Sequence, residues 1–234
     1  MKQFDFIIIG GGIAGAGMAY HLARTARVAI LERESFAGYH TTGRSAALFA
    51  ETYGNAPIRA LNRGSRRFFE NPPPGFAEHP LVTPRGCLFI ARPDQLDALA
   101  AHRLISPAQA RTLDGDGIRR LVPVLRADYA AAAILDTDVM DIDVHALHQG
   151  FLRGARAQGA EVLSEAEVLR LNRRGELWQV DTGIGTFGAA VIVNAAGAWA
   201  DVVGALAGAR AIGLRPLRRT AMLIDPPAGM AVDG

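Results

Sequence analysis

The chain has very little cysteine and no long apolar segment. Its 234 residues contain one cysteine, so an internal disulfide is excluded and a reducing compartment is expected. No window approaches the roughly 18 unbroken apolar residues that a membrane-spanning helix needs, and no membrane span is expected. The first residues show no charged, apolar and cleavable signal pattern. Together these features predict a cytoplasmic protein.

An excess of charge of either sign is also lacking. Lysine and arginine total 25, aspartate and glutamate total 23, and the formal net charge is +2. The basic residues are scattered, so a nucleic-acid-binding surface is not expected. Half of the residues are hydrophobic, which is enough to build a packed core. The length suits one large domain or two small ones.

The first 33 residues carry a strand, a glycine turn, a helix, a second strand and an acid, in that order. The apolar run 4–9 is followed by glycines with the spacing GxGxxG: Gly10, Gly12 and Gly15. A second apolar run, 28–31, leads to Glu32, which lies 22 positions after Gly10. This order is the fingerprint of a dinucleotide-binding βαβ unit.

Each part of this fingerprint has a physical role. Gly10 permits a tight turn, Gly12 lets a pyrophosphate approach the backbone, and Gly15 lets the helix pack closely on the sheet. The helix N-terminus offers N–H groups and a partial positive charge to phosphates. Glu32 stands where a carboxylate accepts hydrogen bonds from ribose hydroxyls. The sequence therefore predicts a dinucleotide site.

Further along the chain, the pattern predicts an α/β fold without internal repeats. Helices are predicted over 45–50, 57–70, 94–104, from a capping sequence at 106–109 to 114–117, from Asp143 to 158, and from 198 to 207. Strands are predicted over 82–90, 131–135, 161–163, 168–171, 178–180, at 187, over 190–194, and beginning within 212–224.

Several features favour FAD over NAD as the dinucleotide. Arg33 follows Glu32, and a small residue, Ala19, lies four positions after Gly15. A second glycine turn spans 41–47, and a late strand with its own glycine turn spans 191–199. An NAD-dependent dehydrogenase remains an alternative, but a nicotinamide site does not need the segment 42–45.

These segments resemble the FAD-dependent D-amino acid oxidase superfamily, which includes glycine and sarcosine oxidases and D-amino acid dehydrogenases. Within it, the likeness is greatest to the bacterial D-arginine dehydrogenases. The shared stretches are 38–40 with 42–47, 122–126, 146–150 and 193–199. The resemblance implies FAD as cofactor and a Rossmann-like, GR2-type FAD-binding domain of residues 1–80 and 144–210. An α+β substrate domain of residues 81–143 and 211–234, here incomplete, is inserted into it.

The resemblance also implies roles for individual residues. Glu32 holds the adenosine ribose, Val168 lies near the adenine, and the flavin ring lies beside 44–47. The full implied cofactor-binding set is Gly10, Gly12, Ile13, Ala14, Gly15, Glu32, Arg33, Thr42, Arg44, Ser45, Ala46, Ala47, Val168, Gly197 and Trp199.

The implied catalytic residues are Arg219 and Tyr53. Arg219 matches an arginine that pairs with the substrate carboxylate, as a guanidinium does well. Arg218 is adjacent, and alternation along a strand leaves only one of the two facing the substrate. Tyr53 matches an active-site tyrosine.

The implied reaction is oxidation of a D-amino acid to its imino acid by hydride transfer to flavin N5. Two pocket positions depart from the D-arginine dehydrogenases: Cys87 replaces a glutamate and Leu48 replaces a histidine. An unpaired buried charge is costly, so we expect a neutral or apolar D-amino acid as the small-molecule substrate. A glycine or sarcosine oxidase that uses oxygen is the alternative.

Family members continue well beyond Gly234. We therefore expect an incomplete substrate domain, weak FAD binding, and a complementing C-terminal chain as a partner. A FAD-binding fragment without activity of its own is a further alternative.

Two alternative functions are considered for individual residues, a metal site and a nucleophilic cysteine. Asp141, Asp143, His145 and His148 have spacings that metal ligands adopt, but Asp143 also suits a helix cap, and the resemblance implies no metal. Cys87 is expected to line the pocket or the core rather than to act as a nucleophile.

Overall fold

The computed structural model describes residues 1–126, 128–218, 220, 222, 225 and 229. The strands of this part of the chain are β1 Lys2–Ile9, β2 Val28–Leu31, β3 Leu48–Phe49, β4 Val82–Pro84, β5 Cys87–Ala91, β6 Arg111–Asp114, β7 Ala132–Asp136, β8 Met140–Ile142, β9 Glu161–Leu163, β10 Val168–Arg174, β11 Leu177–Thr182 and β12 Gly185–Asn194.

The α-helices of the same residues are α1 Ile13–Leu22, α2 Ala56–Glu70, α3 Leu96–Arg103, α4 Gly115–Leu121, α5 Val144–Ala157 and α6 Ala200–Leu206. Short 3-10 turns cover Thr42–Arg44, Pro93–Gln95 and Gly197–Trp199. No helix within the described ranges is long and apolar enough to cross a membrane.

The described chain divides into two compact units. The first comprises Met1–Ala46, Pro72–Leu81 and Asp143–Arg218, and the second comprises Ala47–Asn71 and Val82–Ile142. Two segments fall in a different unit from the one that the predicted division gave them, besides single-residue shifts at Leu81 and Asp143. Segment 47–71 joins the second unit because β3 pairs with β8. Segment 211–218 joins the first, where the Asp201 carboxylate accepts the N–H groups of Ile212, Gly213 and Leu214.

The first unit is built on one six-stranded sheet with the order β10-β11-β12-β1-β2-β9. Strands β12, β1, β2 and β9 run parallel, and β10 and β11 are antiparallel. Alternation along β1 sends Ile7 and Ile9 into one core cluster and Ile8 into another on the opposite face. The predicted α/β fold is confirmed, and the carboxyl ends of the parallel strands meet at one edge.

Helix α5 forms as predicted. Asp143 is its N-cap, with a side-chain oxygen that accepts the N–H of Ala146 at 2.8 Å. Helix α2 also agrees with its prediction. Its N-cap, Asn55, accepts the N–H of Ile58 at 3.1 Å.

The second unit contains two three-stranded antiparallel sheets, β3-β8-β4 and β5-β7-β6. A group of charges stabilises it beside α2. The Arg66 guanidinium donates to Asp138 at 2.6 and 2.9 Å, to Glu51 at 3.1 Å and to Glu70 at 2.8 Å. The Arg66 guanidinium holds the pKa of the Asp138 carboxyl below its usual range.

Two sequence predictions of helices are wrong, the one over 45–50 and the one from 106–109 to 114–117. The helix predicted over 45–50 is replaced by the 3-10 turn at 42–44 and by β3, because Leu48 and Phe49 pair with β8. No helix starts at 106–109, since the chain forms β6 against β7. The predicted helix end at 114–117 is instead a helix start, where Asp114 accepts the N–H of Gly117 at 2.8 Å.

The strand predicted to begin within 212–224 is not formed over the first seven of those positions. Residues 212–218 have no regular secondary structure, because the Asp201 carboxylate takes three of their N–H groups. Most of the remaining positions of that segment, Arg219 included, lie outside the described residues.

Candidate functional site

An open cleft lies in the first unit, at the carboxyl ends of β1, β2 and β12. Ligands of open α/β sheets bind at this edge. Most of the exposed lining is contributed by apolar atoms. Eight of the predicted cofactor residues line it: Gly10, Gly12, Glu32, Arg33, Thr42, Val168, Gly197 and Trp199.

The glycine turn after β1 requires glycine on steric grounds. Gly10 has φ +106°, and a Cβ there would lie 2.5 Å from the Ala195 carbonyl oxygen. A Cβ at Gly15 would overlap the carbonyl oxygen of Gly10. Gly12 lines the cleft, so its backbone is accessible to a ligand. The predicted roles of a tight turn and of close helix packing agree with this geometry.

The Glu32 carboxylate is buried but still has free positions for accepting hydrogen bonds. Its side chain is held at both oxygens: Oε2 accepts the N–H of Gly11 at 2.8 Å and Oε1 accepts the N–H of Glu34 at 3.0 Å. The residue is only 8% exposed, yet it lines the cleft. A carboxylate offers about four acceptor positions, so the geometry leaves acceptor positions for the two hydroxyls of a ribose.

The second glycine turn adjoins the start of α1. The N–H of Gly43 donates to the Gly38 carbonyl at 2.7 Å, which closes the turn. Thr42 Oγ1 accepts the N–H of Ile13 at 3.0 Å. This bond satisfies one of the N–H groups that a helix N-terminus leaves unpaired. Ile13 and Ala14 are exposed in the same first turn.

An aromatic and charged cluster forms another part of the cleft wall. The Trp199 ring lies 4.4 Å from Cζ of Arg33 and 4.6 Å from the His40 ring. Glu34 Oε1 accepts from Nε of Arg33 at 2.9 Å and lies 2.8 Å from Nε2 of His40. The Arg33 guanidinium, with a smaller contribution from His40, lowers the pKa of the Glu34 carboxyl.

His40, Tyr39 and Glu34 are not among the site residues predicted from the sequence. Tyr39 and His40 line the cleft. Their place within the shared stretch 38–40 was the available signal. Arg44 contacts the same cluster, with Nε 3.4 Å from the Tyr39 carbonyl oxygen and Cζ 5.4 Å from the Tyr39 ring. Ser45 and Ala46 are exposed in this unit.

Four of the predicted site residues belong to the second unit. They are Ala47 of the cofactor-binding set, the catalytic residue Tyr53, and the pocket residues Leu48 and Cys87. Leu48 is 43% exposed and Tyr53 is 74% exposed. Cys87 is half-buried opposite Asp136. Burial, and then the charge of Asp136, raise the pKa of its thiol. Arg219 lies outside the described residues.

Three of the four acids and histidines that suggested a metal cluster have other contacts, and the fourth, His145, is exposed. Asp143 caps α5, Asp141 pairs with Arg85 at 2.8 Å, and His148 contacts the Gly11 carbonyl. Within the described ranges, no three His, Cys, Asp or Glu side chains are grouped to hold a metal ion.

The residues of the cleft fit a dinucleotide. A glycine turn that only glycine can form leads into α1, and a buried carboxylate at the end of β2 faces the same space. Backbone N–H groups at a helix start suit a pyrophosphate, and the carboxylate suits a ribose. The fold and the cleft therefore define a dinucleotide-binding protein of the doubly wound class.

The chain belongs to the DAO family of FAD-dependent oxidoreductases, whose family model matches residues 5–233. The beta subunit of sarcosine oxidase from Rhizobium meliloti (strain 1021) is 30% identical over 224 residues, covering 89% of this chain and 53% of that protein. Mitochondrial dimethylglycine dehydrogenase from Rattus norvegicus is 29% identical over 212 residues, covering 87% of this chain and 24% of that protein.

The fold is also similar to solved structures. The crystal structure of glycine oxidase from Geobacillus kaustophilus superposes with a TM-score of 0.77 at 24% identity, covering 89% of this chain and 59% of that one. This chain therefore spans about half, or less, of the length of the curated relatives described above.

Proposed function

We propose that this chain binds FAD in the cleft of its first unit and belongs to an enzyme that oxidises an amino acid or a small amine. The observation that carries the proposal is the joint placement of the glycine turn and the Glu32 carboxylate around one cleft. When bound, FAD supplies the acceptor for the hydride that leaves the substrate carbon next to nitrogen.

On the cofactor side, each residue has a binding role. The backbone at Gly12 and the first turn of α1 bind the pyrophosphate, and Glu32 accepts hydrogen bonds from the adenosine ribose. Val168, at the start of β10, packs against the adenine. Gly197 and Trp199 border the phosphates, while the segment 44–47 lies beside the flavin ring.

On the substrate side, Arg219 binds the carboxylate through a bidentate pair, and Tyr53 borders the reacting amine. Leu48 and Cys87 line the space for the substrate side chain. The raised pKa of the Cys87 thiol keeps this group neutral near pH 7. A neutral pocket favours a D-amino acid with an apolar side chain over D-arginine, because a buried guanidinium needs a carboxylate partner.

Glycine and N-methylated glycines are the second candidate substrates. The similar proteins are named for sarcosine, dimethylglycine and glycine, and these substrates share the carboxylate that Arg219 is proposed to bind. We also propose that a complementing C-terminal segment or chain completes the substrate domain.

An anaerobic reduction assay distinguishes these candidates. The chain, together with the C-terminal segment that completes the substrate domain, is loaded with FAD, and the loss of visible flavin absorbance is followed with D-leucine, D-methionine, D-phenylalanine, D-arginine, glycine, sarcosine and dimethylglycine. Reduction by the apolar D-amino acids supports the first candidate, and reduction by sarcosine supports the second. Faster reduction by D-arginine than by the apolar D-amino acids would contradict the argument from Leu48 and Cys87.

Tyr53→Phe is the matched variant for the substrate side. It removes only a hydroxyl from an exposed ring, so we expect FAD binding to be unchanged and flavin reduction to slow. Equal reduction rates for the variant and the parent chain would remove Tyr53 from the site.

A further inference from the structure

His148 is a buried polar side chain that the proposed binding roles do not use. It lies in the second turn of α5 and is 3% exposed. Its Nε2 lies 2.8 Å from the carbonyl oxygen of Gly11, the middle residue of the first glycine turn. A carbonyl oxygen only accepts hydrogen bonds, so Nε2 carries the proton and donates it to Gly11.

Gly11 is thereby held at both of its polar backbone atoms. Its N–H donates to Glu32 Oε2 at 2.8 Å, and its carbonyl accepts from His148. In a trans peptide, the carbonyl and the following N–H point in opposite directions. The N–H of Gly12 therefore points away from His148, and Gly12 lines the cleft.

The same imidazole lies against Gly38, a residue next to the second glycine turn. Gly38 has φ +84°, and a Cβ there would lie 2.9 Å from Cε1 of His148. Gly38 also lines the cleft, and its carbonyl closes the turn by accepting from Gly43. His148 thus contacts the first glycine turn and also Gly38, whose carbonyl accepts from Gly43 of the second turn.

We propose that His148 is a positioning residue for FAD. Its hydrogen bond to Gly11 orients the peptide between Gly11 and Gly12 so that the Gly12 N–H is presented to the pyrophosphate. This inference rests on the proposed binding of FAD in the cleft. It adds a side chain of α5, distant in sequence from the glycine motif, to the machinery of cofactor binding.

Three variants separate the hydrogen bond from the bulk of the ring. His148→Leu removes the donor and leaves the Gly11 carbonyl unpaired. His148→Gln keeps an amide nitrogen at about the reach of Nε2, whereas His148→Asn carries its nitrogen nearer the backbone. His145→Gln is the matched control, since His145 is exposed on the same helix.

Calorimetric titration with FAD gives the first readout. Leaving a buried carbonyl unpaired is expected to weaken FAD binding about tenfold in His148→Leu and His148→Asn. His148→Gln and His145→Gln are expected to bind within about threefold of the parent chain. Should His148→Leu fail to fold, His148→Asn and His148→Gln give the same comparison.

Hydrogen exchange of the Gly11 amide without FAD gives the second readout. We expect faster exchange in His148→Leu and an unchanged rate in His148→Gln. Parent-like FAD affinity and parent-like exchange in His148→Leu would overturn the inference. A parent chain that binds no FAD would overturn the proposed function, while Gly11 exchange would still decide whether His148 orients the turn.

Discussion

Different kinds of contact stabilise the interior of each of the two units. In the first unit, glycines bring backbone segments close together, as where Gly15 of α1 packs on the Gly10 carbonyl. In the second unit, Arg66 joins three acidic side chains at 2.6 to 3.1 Å. We therefore expect an added methyl group to lower the stability of the first unit most. We expect the loss of a charge to lower the stability of the second unit most.

The largest effect is expected for Gly15→Ala. Its new Cβ would overlap a backbone carbonyl oxygen, so α1 must move away from the sheet. Overpacking that shifts the backbone lowers the free energy of unfolding by about 3 kcal/mol. Urea denaturation of the chain measures the loss.

Gly17→Ala is the matched control in the same helix. A Cβ at Gly17 would meet Phe151 at 3.8 Å, an ordinary contact. Alanine favours helix over glycine by about 1 kcal/mol, so this variant should be slightly more stable. Equal destabilisation by the two alanines would refute the importance of close packing at Gly15.

The second effect is expected for Arg66→Met. This change leaves Asp138 and Glu51 without their guanidinium partner and should cost about 1–3 kcal/mol in the second unit. Arg67→Met, at the exposed next position of α2, should change stability by less than about 0.5 kcal/mol. A similar loss in both variants, measured by thermal denaturation, would show that the ion pairs do not stabilise this unit.

The loss of a helix N-cap is the third and smaller effect, and it should be similar in the two units. Asp143 caps α5 in the first unit, and Asp114 caps α4 in the second, each through an N–H at 2.8 Å. Alanine at either position should cost about 1 kcal/mol, and asparagine should retain most of the cap. A much greater loss at one cap, in matched denaturation curves, would show that its aspartate has a further role.

The smallest effect concerns pH and the first unit. Burial lowers the pKa of the His148 imidazole from its usual 6.5, while the Gly11 carbonyl opposes this shift. Among the charged groups nearby, His145 and Arg156 act in the same direction as burial, and Glu32 acts against it. The unfolded chain therefore takes up the proton first as the pH falls.

It follows that the contribution of His148 is fully present above about pH 6.5 and decreases below it. Denaturation curves of the parent chain and His148→Gln should diverge across that range, since the glutamine does not titrate. Parallel pH profiles for the two proteins would contradict this coupling.

The same contrast explains which parts of the structure could be predicted from sequence. The β1–α1–β2 unit depends on neighbouring residues: an apolar run, glycines with fixed spacing, and an acid at the next strand end. Strand β3 depends on Met140 and Asp141, about ninety positions away, and nothing local distinguishes Leu48 and Phe49 from a short helix. Asp114 has the same ambiguity, because Asp-Gly both ends and begins helices.

The site residues, too, could be predicted from the sequence only where they belong to a local motif. Glu32 was predictable because its spacing from Gly10 is part of a known motif. The Trp199, Arg33 and His40 cluster was predictable only in part, since it forms when two distant loops meet at one sheet edge. The contact of His148 with Gly11 joins residues 137 positions apart, and a helical histidine carries no local signal of such a partner.

Calorimetric titration with FAD, FMN and NADH is the decisive test of the assignment of the cleft as a FAD site. The cleft is proposed to hold the adenosine and pyrophosphate through Glu32 and the glycine turn. We therefore predict saturable one-to-one binding of FAD, none of FMN, which lacks the adenosine, and at least about tenfold weaker binding of FAD in Glu32→Gln. A folded chain that binds FMN as well as FAD, that prefers NADH, or whose affinity for FAD is unchanged in Glu32→Gln would contradict the assignment.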